Sequence, residues 1–325
     1  MTDFEGLAEQ LSMTELMRLQ DALSCAIVRR FEKHLALAFS DIVDSTAYFA
    51  AYGDEAGRKL QQRHYDLVAA AIAPEGGRVV DTAGDGVFLC FDHVTAAVRA
   101  MVALKRAILR DNDARNAAHR LYVRIGVHCG PVLSDGTLVS GEAVNFCNRV
   151  ASSADREELR LTPAAHAELG DAALRRRCQP VRGVQLKGVA APQDLFSLAW
   201  LDPVRFPTLV GFEDGSVQRL PARDVIRFGR LREENGIAAN DIVIELVDPE
   251  LLIRISRWHF ELHRKADGYM LRAITASGTT ALNGRALVPG EMVSLRPGAE
   301  VCLSGAVTLT FVSEDFSQET THLPG

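Results

Sequence analysis

Near residue 200 the sequence changes period, and a chain that does so has to build two cores of different kinds. Before that point, apolar runs of strand length alternate with segments whose apolar residues recur every three or four positions: LALAFSDI (35–42), AGRKLQQRHYDLVAAAIAPEGG, RVVDTAGDGVFLCF, TAAVRAMVALKRAILR, LYVRIGVHCG and GEAVNFCNRVASSA. This alternation predicts an α/β (α+β) sandwich over residues 35–200, with helices packed over a mixed sheet. Pro74 and the Gly76-Gly77 pair end the first long helix, and RVVDTAGDGVFLCF reads as a hairpin around Asp85-Gly86. After WLDPVRFP only short strand-like runs follow, among them DVIRFGR, DIVIEL, HFELHRK, YMLRAI, EMVSL and VTLTFV, separated by Asn-Gly, Pro-Gly and Asp-Gly turns. They predict an all-β sandwich over 207–314. Residues 1–34 read as a helical lead-in with Leu16, Leu19, Leu23 and Ile27 on one face, and 315–325 as a loose polar tail.

Composition narrows the function classes. The chain has 325 residues, enough for two domains that each bury a core. Its net charge of -6 offers no electrostatic case for a nucleic-acid or membrane surface. The six cysteines (Cys25, Cys90, Cys129, Cys147, Cys178 and Cys302) are dispersed, with no C-x-x-C pair. That is the pattern of a reducing compartment. The N-terminus lacks a basic segment followed by an apolar one, and no run approaches the ~18 apolar residues of a membrane span. The expectation is a cytoplasmic protein.

Two carboxylates stand out. Asp41 ends an apolar strand, and Asp85 lies at a hairpin tip 44 residues later. If the hairpin returns beside the strand, the pair can share two divalent ions, an arrangement suited to phosphoryl transfer. Taken singly, Asp41 could merely cap the helix starting near Ser45, and Asp85 could merely make a turn. Together, FSDIVDST followed by AGDGVFLCF resembles the two metal motifs of the class III nucleotidyl cyclases. GEAVNFCNRVAS resembles that family's asparagine-arginine motif, with Asn145 and Arg149 at i and i+4 on one helical face. LKGVAAPQDLFSL resembles its closing segment, which carries a phosphate-binding lysine, here Lys187. The resemblance covers residues 36–199.

The resemblance implies cyclisation of a nucleoside triphosphate, with the 3′-hydroxyl attacking the α-phosphate and pyrophosphate leaving. Asp41, Asp85 and the Ile42 carbonyl would hold two divalent ions, Mn²⁺ or Mg²⁺. Arg149 would meet charge on the α-phosphate, Asn145 would orient the ribose, and Lys187 would neutralise the polyphosphate. The family's sites form across a dimer interface, so the resemblance also implies a homodimer. Adenine-specific members read the base with a lysine and an aspartate or threonine at the positions held here by Asp81 and Leu138. A carboxylate at position 81 can accept from uracil N3–H, the cytosine amino group or the guanine edge, but it opposes the adenine N1 acceptor. Tyr48 would narrow the base pocket, or serve only as an ordinary tyrosine. Bulk near the base together with loss of the purine readers resembles the bacterial pyrimidine cyclases of defence against phage. The resulting ranking is uridine, cytidine, guanosine, then adenosine. A guanylyl or adenylyl cyclase of ordinary signalling is the alternative, and a silent scaffold that binds phosphoproteins is another.

In the second domain, FGR (228–230), SRWH (256–259) and LNG (282–284) resemble the forkhead-associated domain, a reader of phosphothreonine proteins. The resemblance implies that Arg230 and Ser256 contact the phosphate with Arg257 nearby, that His259 braces the loop, and that Asn283 holds the peptide backbone. Between Arg230 and Ser256 lie 25 residues, more than the family pattern leads one to expect. A sandwich used only for dimer contacts or autoinhibition is the other reading.

Overall fold

The computed structural model describes residues 11–276 and 278–314. Of these, residues up to Ala107 and Leu121–Ala199 form one compact unit, while Ile108–Arg120 and the residues from Trp200 onward form the other. No helix among the described residues is long and apolar enough to cross a membrane.

In the first unit, α1 (Met13–Phe31) begins at a capping box, in which Ser12 and Glu15 satisfy each other's backbone N–H groups. It buries none of its residues, and Leu16, Leu19, Leu23 and Ile27 are all exposed. The chain passes directly into β1 (Glu32–Ile42), three residues earlier than the apolar run alone suggests. Helix α2 (Ser45–Ile72) follows, and then the hairpin β2 (Arg78–Ala83) and β3 (Gly86–Phe91). The left-handed residue in its turn is Gly84 rather than the Asp85-Gly86 pair. Next come α3 (Val94–Asp113), whose residues from Ile108 belong to the second unit, then β4 (Val123–Ser134), β5 (Val139–Ser140) and α4 (Glu142–Ser153). Strand β6 (Leu159–Leu161), helices α5 (Pro163–Glu168) and α6 (Ala172–Arg176), and strands β7 (Cys178–Val184) and β8 (Gln193–Leu198) complete it.

The sheet runs β2-β3-β1-β4-β6-β8-β7, with β5 added to β4; β4 and β6 are parallel and the other pairs antiparallel. β1 therefore lies at the centre, between the hairpin and β4. Its alternation puts Leu35, Leu37 and Phe39 into a core with Cys147 and Ala151 of α4. At Gly126 on β4 a Cβ would come within 2.4 Å of the Ala151 backbone nitrogen, so only glycine lets α4 lie this close to the sheet.

The second unit has a six-stranded sheet, β10-β9-β21-β20-β17-β18, with β21 at Val307–Val312, a five-stranded sheet, β14-β11-β15-β16-β19, with β14 at Ile242–Val243 and β19 at Met292–Leu295, and a two-stranded ribbon of β12 (Glu233–Glu234) and β13 (Ile237–Ala238). The strands that carry the recognition loops are β11 (Val225–Gly229), β15 (Phe260–Lys265), β16 (Gly268–Ala273), β17 (Thr280–Leu282) and β18 (Arg285–Leu287). Phe228 and Phe260 from one sheet stack with ring centroids 4.3 Å apart, and Phe311 from the other meets Phe228 edge-on at 5.8 Å. Strands β9 (Leu209–Gly211), β10 (Val217–Arg219) and β20 (Ala299–Leu303) complete the six-stranded sheet. They escape notice in the sequence because they are only three to five residues long, too short to show a period.

Candidate functional site

Strand register positions the first carboxylate. Asp41 lies directly opposite Arg124 of β4. Arg124 donates through Nε at 2.8 Å and Nη2 at 2.6 Å, both to Asp41 Oδ2, and also reaches the Ser152 carbonyl at the end of α4. Burial pushes the Asp41 carboxyl above the usual carboxylate range, and the negative charge of Asp85 adds to the rise; Arg124 opposes both. Ser40 pairs with Val87 across β1 and β3, which sets Asp41 beside the turn that carries Asp85. Ile42, next along β1, has a buried side chain.

Behind this pair sits His64 of α2, 1 % exposed. Its Nε2 lies 2.8 Å from the hydroxyl of Ser40, the neighbour of Asp41, and its imidazole also bonds the backbone carbonyl of Asp85. A carbonyl can only accept, so Nδ1 carries the proton and Nε2 accepts from Ser40. Burial lowers the His64 pKa to about 4, so the ring stays neutral and fastens the two carboxylate-bearing segments from within. Sequence reasoning missed both Arg124 and His64. Arg124 left a signal, since it interrupts the apolar run of β4. His64 left none, because its partners are fixed only when α2 docks.

A cleft of about 670 Å³ opens between α2 and the hairpin, lined by Arg58, Gln61, Tyr65, Asp81, Thr82 and Asp85 among others. A bulge at Val80 shifts the register, so that Asp81 pairs with Phe88. Its carboxylate accepts from the Thr82 N–H and the residue is exposed. Leu138 is 64 % exposed, presented outward by an Asp135 side chain that accepts the N–H groups of Thr137 and Leu138. Arg78 on β2 donates to the Gly136 carbonyl and so ties the Asp81 strand to the Leu138 loop. Tyr48 is half-buried and packs on Tyr52 with ring centroids 4.8 Å apart; it is not among the residues lining the cleft.

On α4, Asn145 and Arg149 are exposed, as is Lys187 in the loop after β7. Arg149 donates to the Gly188 carbonyl at 3.3 Å, which brings the helix and the Lys187 loop together. Among the described residues no hydrogen bond or ion pair joins these three to Asp41 or Asp85.

In the second unit, Arg230 donates from Nε to the Ile255 carbonyl at 2.7 Å. The Ser256 hydroxyl lies 2.6 Å from that of Thr275, and buried His259 accepts from the Ser256 N–H. Arg257 is exposed beside them. Gly229 permits the convergence of these loops, because a Cβ there would sit 2.1 Å from the Arg257 carbonyl oxygen. Asn240, from the long segment between Arg230 and Ser256, donates to the carbonyls of Leu231 and Arg257. That segment therefore braces the two loops, a role its sequence did not announce. Asn283 stands apart in the β17–β18 turn at φ 49°, its side chain accepting from the Glu300 N–H.

Comparison with known proteins agrees with this division. The family model described as the adenylate and guanylate cyclase catalytic domain matches residues 28–198, and that of the FHA domain matches residues 226–304. The chain is similar to the serine/threonine-protein kinase pkn2 of Myxococcus xanthus, 26 % identical over 41 % of this chain and 16 % of that protein. It is also similar to an adenylate cyclase of Streptomyces coelicolor, 26 % identical over 42 % of this chain and 35 % of that one. The matches thus span well under two thirds of these relatives. Among solved structures, an adenylate cyclase of Trypanosoma brucei matches with a TM-score of 0.44 and 22 % identity, over 51 % of this chain and 90 % of that one. With the first model covering more than half of its length, the chain belongs to the adenylate and guanylate cyclase catalytic domain family and carries an FHA domain after the cyclase domain.

Proposed function

We propose that this chain converts a nucleoside triphosphate into a 3′,5′-cyclic nucleotide and pyrophosphate, with UTP the preferred substrate and CTP next. The observation that carries the reading is the β1–β3 register, which pairs Ser40 with Val87 and so sets Asp41 beside the turn that bears Asp85, with His64 behind them on Ser40. The donor set fits two divalent ions, since two carboxylates and the Ile42 carbonyl are hard oxygen ligands and mutual repulsion favours a shared cation. Mn²⁺ or Mg²⁺ bound there would acidify the ribose 3′-hydroxyl and offset the triphosphate charge.

The chain's own residues supply the rest. Arg149 would stabilise charge gathering on the α-phosphate, Asn145 would orient the ribose, and Lys187 would neutralise the polyphosphate. Because these three make no bond to the carboxylate pair in one chain, a second copy completes the site, and the working form is a homodimer. Asp81, exposed on β2, would accept from uracil N3–H, with Leu138, whose loop Arg78 ties to the same strand, limiting the room for the base. In the second domain, Arg230, Ser256 and Arg257 would receive the phosphate of a phosphothreonine protein, with Asn283 at the margin. A pyrimidine product would serve as a second messenger in antiviral defence. An adenylyl product is the second reading, favoured by the name of the Streptomyces relative and opposed by the acceptor at Asp81.

Incubation of the purified protein with each of the four nucleoside triphosphates and Mn²⁺, followed by chromatography, tests the proposal. Cyclic UMP in excess is expected. Mainly cyclic GMP or AMP would overturn the pyrimidine assignment, and no cyclic product from any of the four would overturn the enzymatic one.

A further inference from the structure

At the opposite end of β1 from Asp41, three side chains from three elements converge. His34 is the third residue of β1, Cys129 lies on β4, and Glu168 ends α5. Cys129 pairs with Ala36, two residues beyond His34, so His34 and Cys129 are diagonal neighbours on one face of the sheet. β6 runs parallel to β4 and leads into α5, which brings Glu168 over that face. His34 Nε2 and Glu168 Oε1 are 2.9 Å apart, and one ligand atom from each of the three residues lies within 4.8 Å of the others.

We infer that His34, Cys129 and Glu168 form a zinc-binding site, separate from the carboxylate pair. Imidazole, thiolate and carboxylate are the ligand types that zinc combines, and three protein ligands leave a fourth position for water. The Cys129 thiol is 2 % exposed, whereas the side chains of His34 and Glu168 are about half exposed, so the site has a protein-lined floor and an open approach. Mg²⁺ is excluded on chemical grounds, since only one of the three donors is oxygen and Mg²⁺ is held through oxygen. The catalytic ions would therefore not compete here. Asp41 lies seven steps along the strand from His34, roughly 23 Å at about 3.3 Å per residue. A bound ion would join β1, β4 and α5 just where α1 leads into the sheet, and its uptake would displace the thiol proton.

Co²⁺ provides a visible probe. The full-length protein, with Cys25→Ser to remove its exposed thiol, is stripped by chelation and titrated with Co²⁺ in excess Mg²⁺, then with Zn²⁺. Expected are one equivalent of Co²⁺ with a thiolate-to-cobalt charge-transfer band, and loss of that band as Zn²⁺ replaces it. Cys129→Ser should abolish the band. The His34→Asn/Glu168→Gln double variant alters only half-exposed side chains and so keeps the core. It should weaken uptake by more than the roughly 10–100-fold that loss of an outer-shell partner costs. Absence of the band in the parent protein, its persistence in Cys129→Ser, or unchanged uptake by the double variant would overturn the assignment.

Discussion

Asp41 and Arg230 are both charged side chains fixed before any ligand arrives, and they are fixed by opposite means. Asp41 is held by a countercharge: two N–H groups of Arg124 converge on one of its oxygens, from the residue directly across the ladder. Arg230 is held by a neutral carbonyl, that of Ile255, and the neighbouring Ser256 by the Thr275 hydroxyl. Strand register in a sheet interior sets the first arrangement, and converging loops set the second. A neutral partner leaves the guanidinium's full charge available to an anion. A charged partner means that an incoming cation meets a carboxylate already half compensated, which helps explain why a second carboxylate, Asp85, stands beside it.

The largest test of this contrast removes the charge and keeps the shape. On the proposed reading, Asp41→Asn lowers kcat by on the order of a thousandfold, the several kcal/mol that a catalytic ion supplies. Phosphothreonine-peptide binding by the second domain stays as it was. Cyclic nucleotide production and peptide affinity measured on the same preparation separate the two effects. Activity retained within tenfold would mean that the charge at position 41 is not what the site uses.

His64 offers a test of nearly equal size through stability. Its folded pKa of about 4 lies below the usual value of ~6.5, so as pH falls the unfolded chain takes up the proton first. The residue costs no stability above pH ~6.5, and its penalty grows to about 3 kcal/mol as pH approaches 4. In His64→Gln that penalty vanishes, although the variant begins less stable at neutral pH because the bond between the two segments is altered. Urea unfolding at pH 7.5 and 4.5 reads the difference. His128 and His259 are also lowered by burial, but they are common to both proteins and cancel in the comparison. Equal pH slopes for the two proteins would show that His64 is not held neutral.

Much of this molecule is legible in its sequence, and the limit is a physical one. Apolar period and turn residues suffice for β1, α2, the β2–β3 hairpin, α3, β4 and α4, because each segment's own pattern decides its form. The motifs likewise single out Asp41, Asp85, Asn145 and Arg149 as candidates. What escapes is whatever depends on two segments meeting: Arg124 faces Asp41 only through the β1–β4 register, and His64 finds Ser40 and Asp85 only once α2 has docked. The segment between Arg230 and Ser256 reads only as longer than the family pattern, and that Asn240 within it braces the loops becomes visible when the carbonyls of Leu231 and Arg257 come together.

The smallest expected effect concerns the neutral-held side. A hydrogen bond between charged groups is worth about 1.5–3 kcal/mol, so Arg230→Ala should weaken binding of a phosphothreonine peptide by roughly 10–150-fold. The unphosphorylated peptide serves as control, and basal cyclase activity should not change. Arg230→Lys sharpens the point: it keeps the charge, but an ammonium is a point donor and cannot hold the Ile255 carbonyl and a phosphate with the geometry of a planar fork. An intermediate loss is therefore expected, and titration calorimetry at two salt concentrations would resolve it. If Arg230→Ala binds normally while Arg257→Ala does not, the phosphate meets the exposed arginine instead, and the contrast between a charge-held and a neutral-held site no longer describes the two ends of this chain.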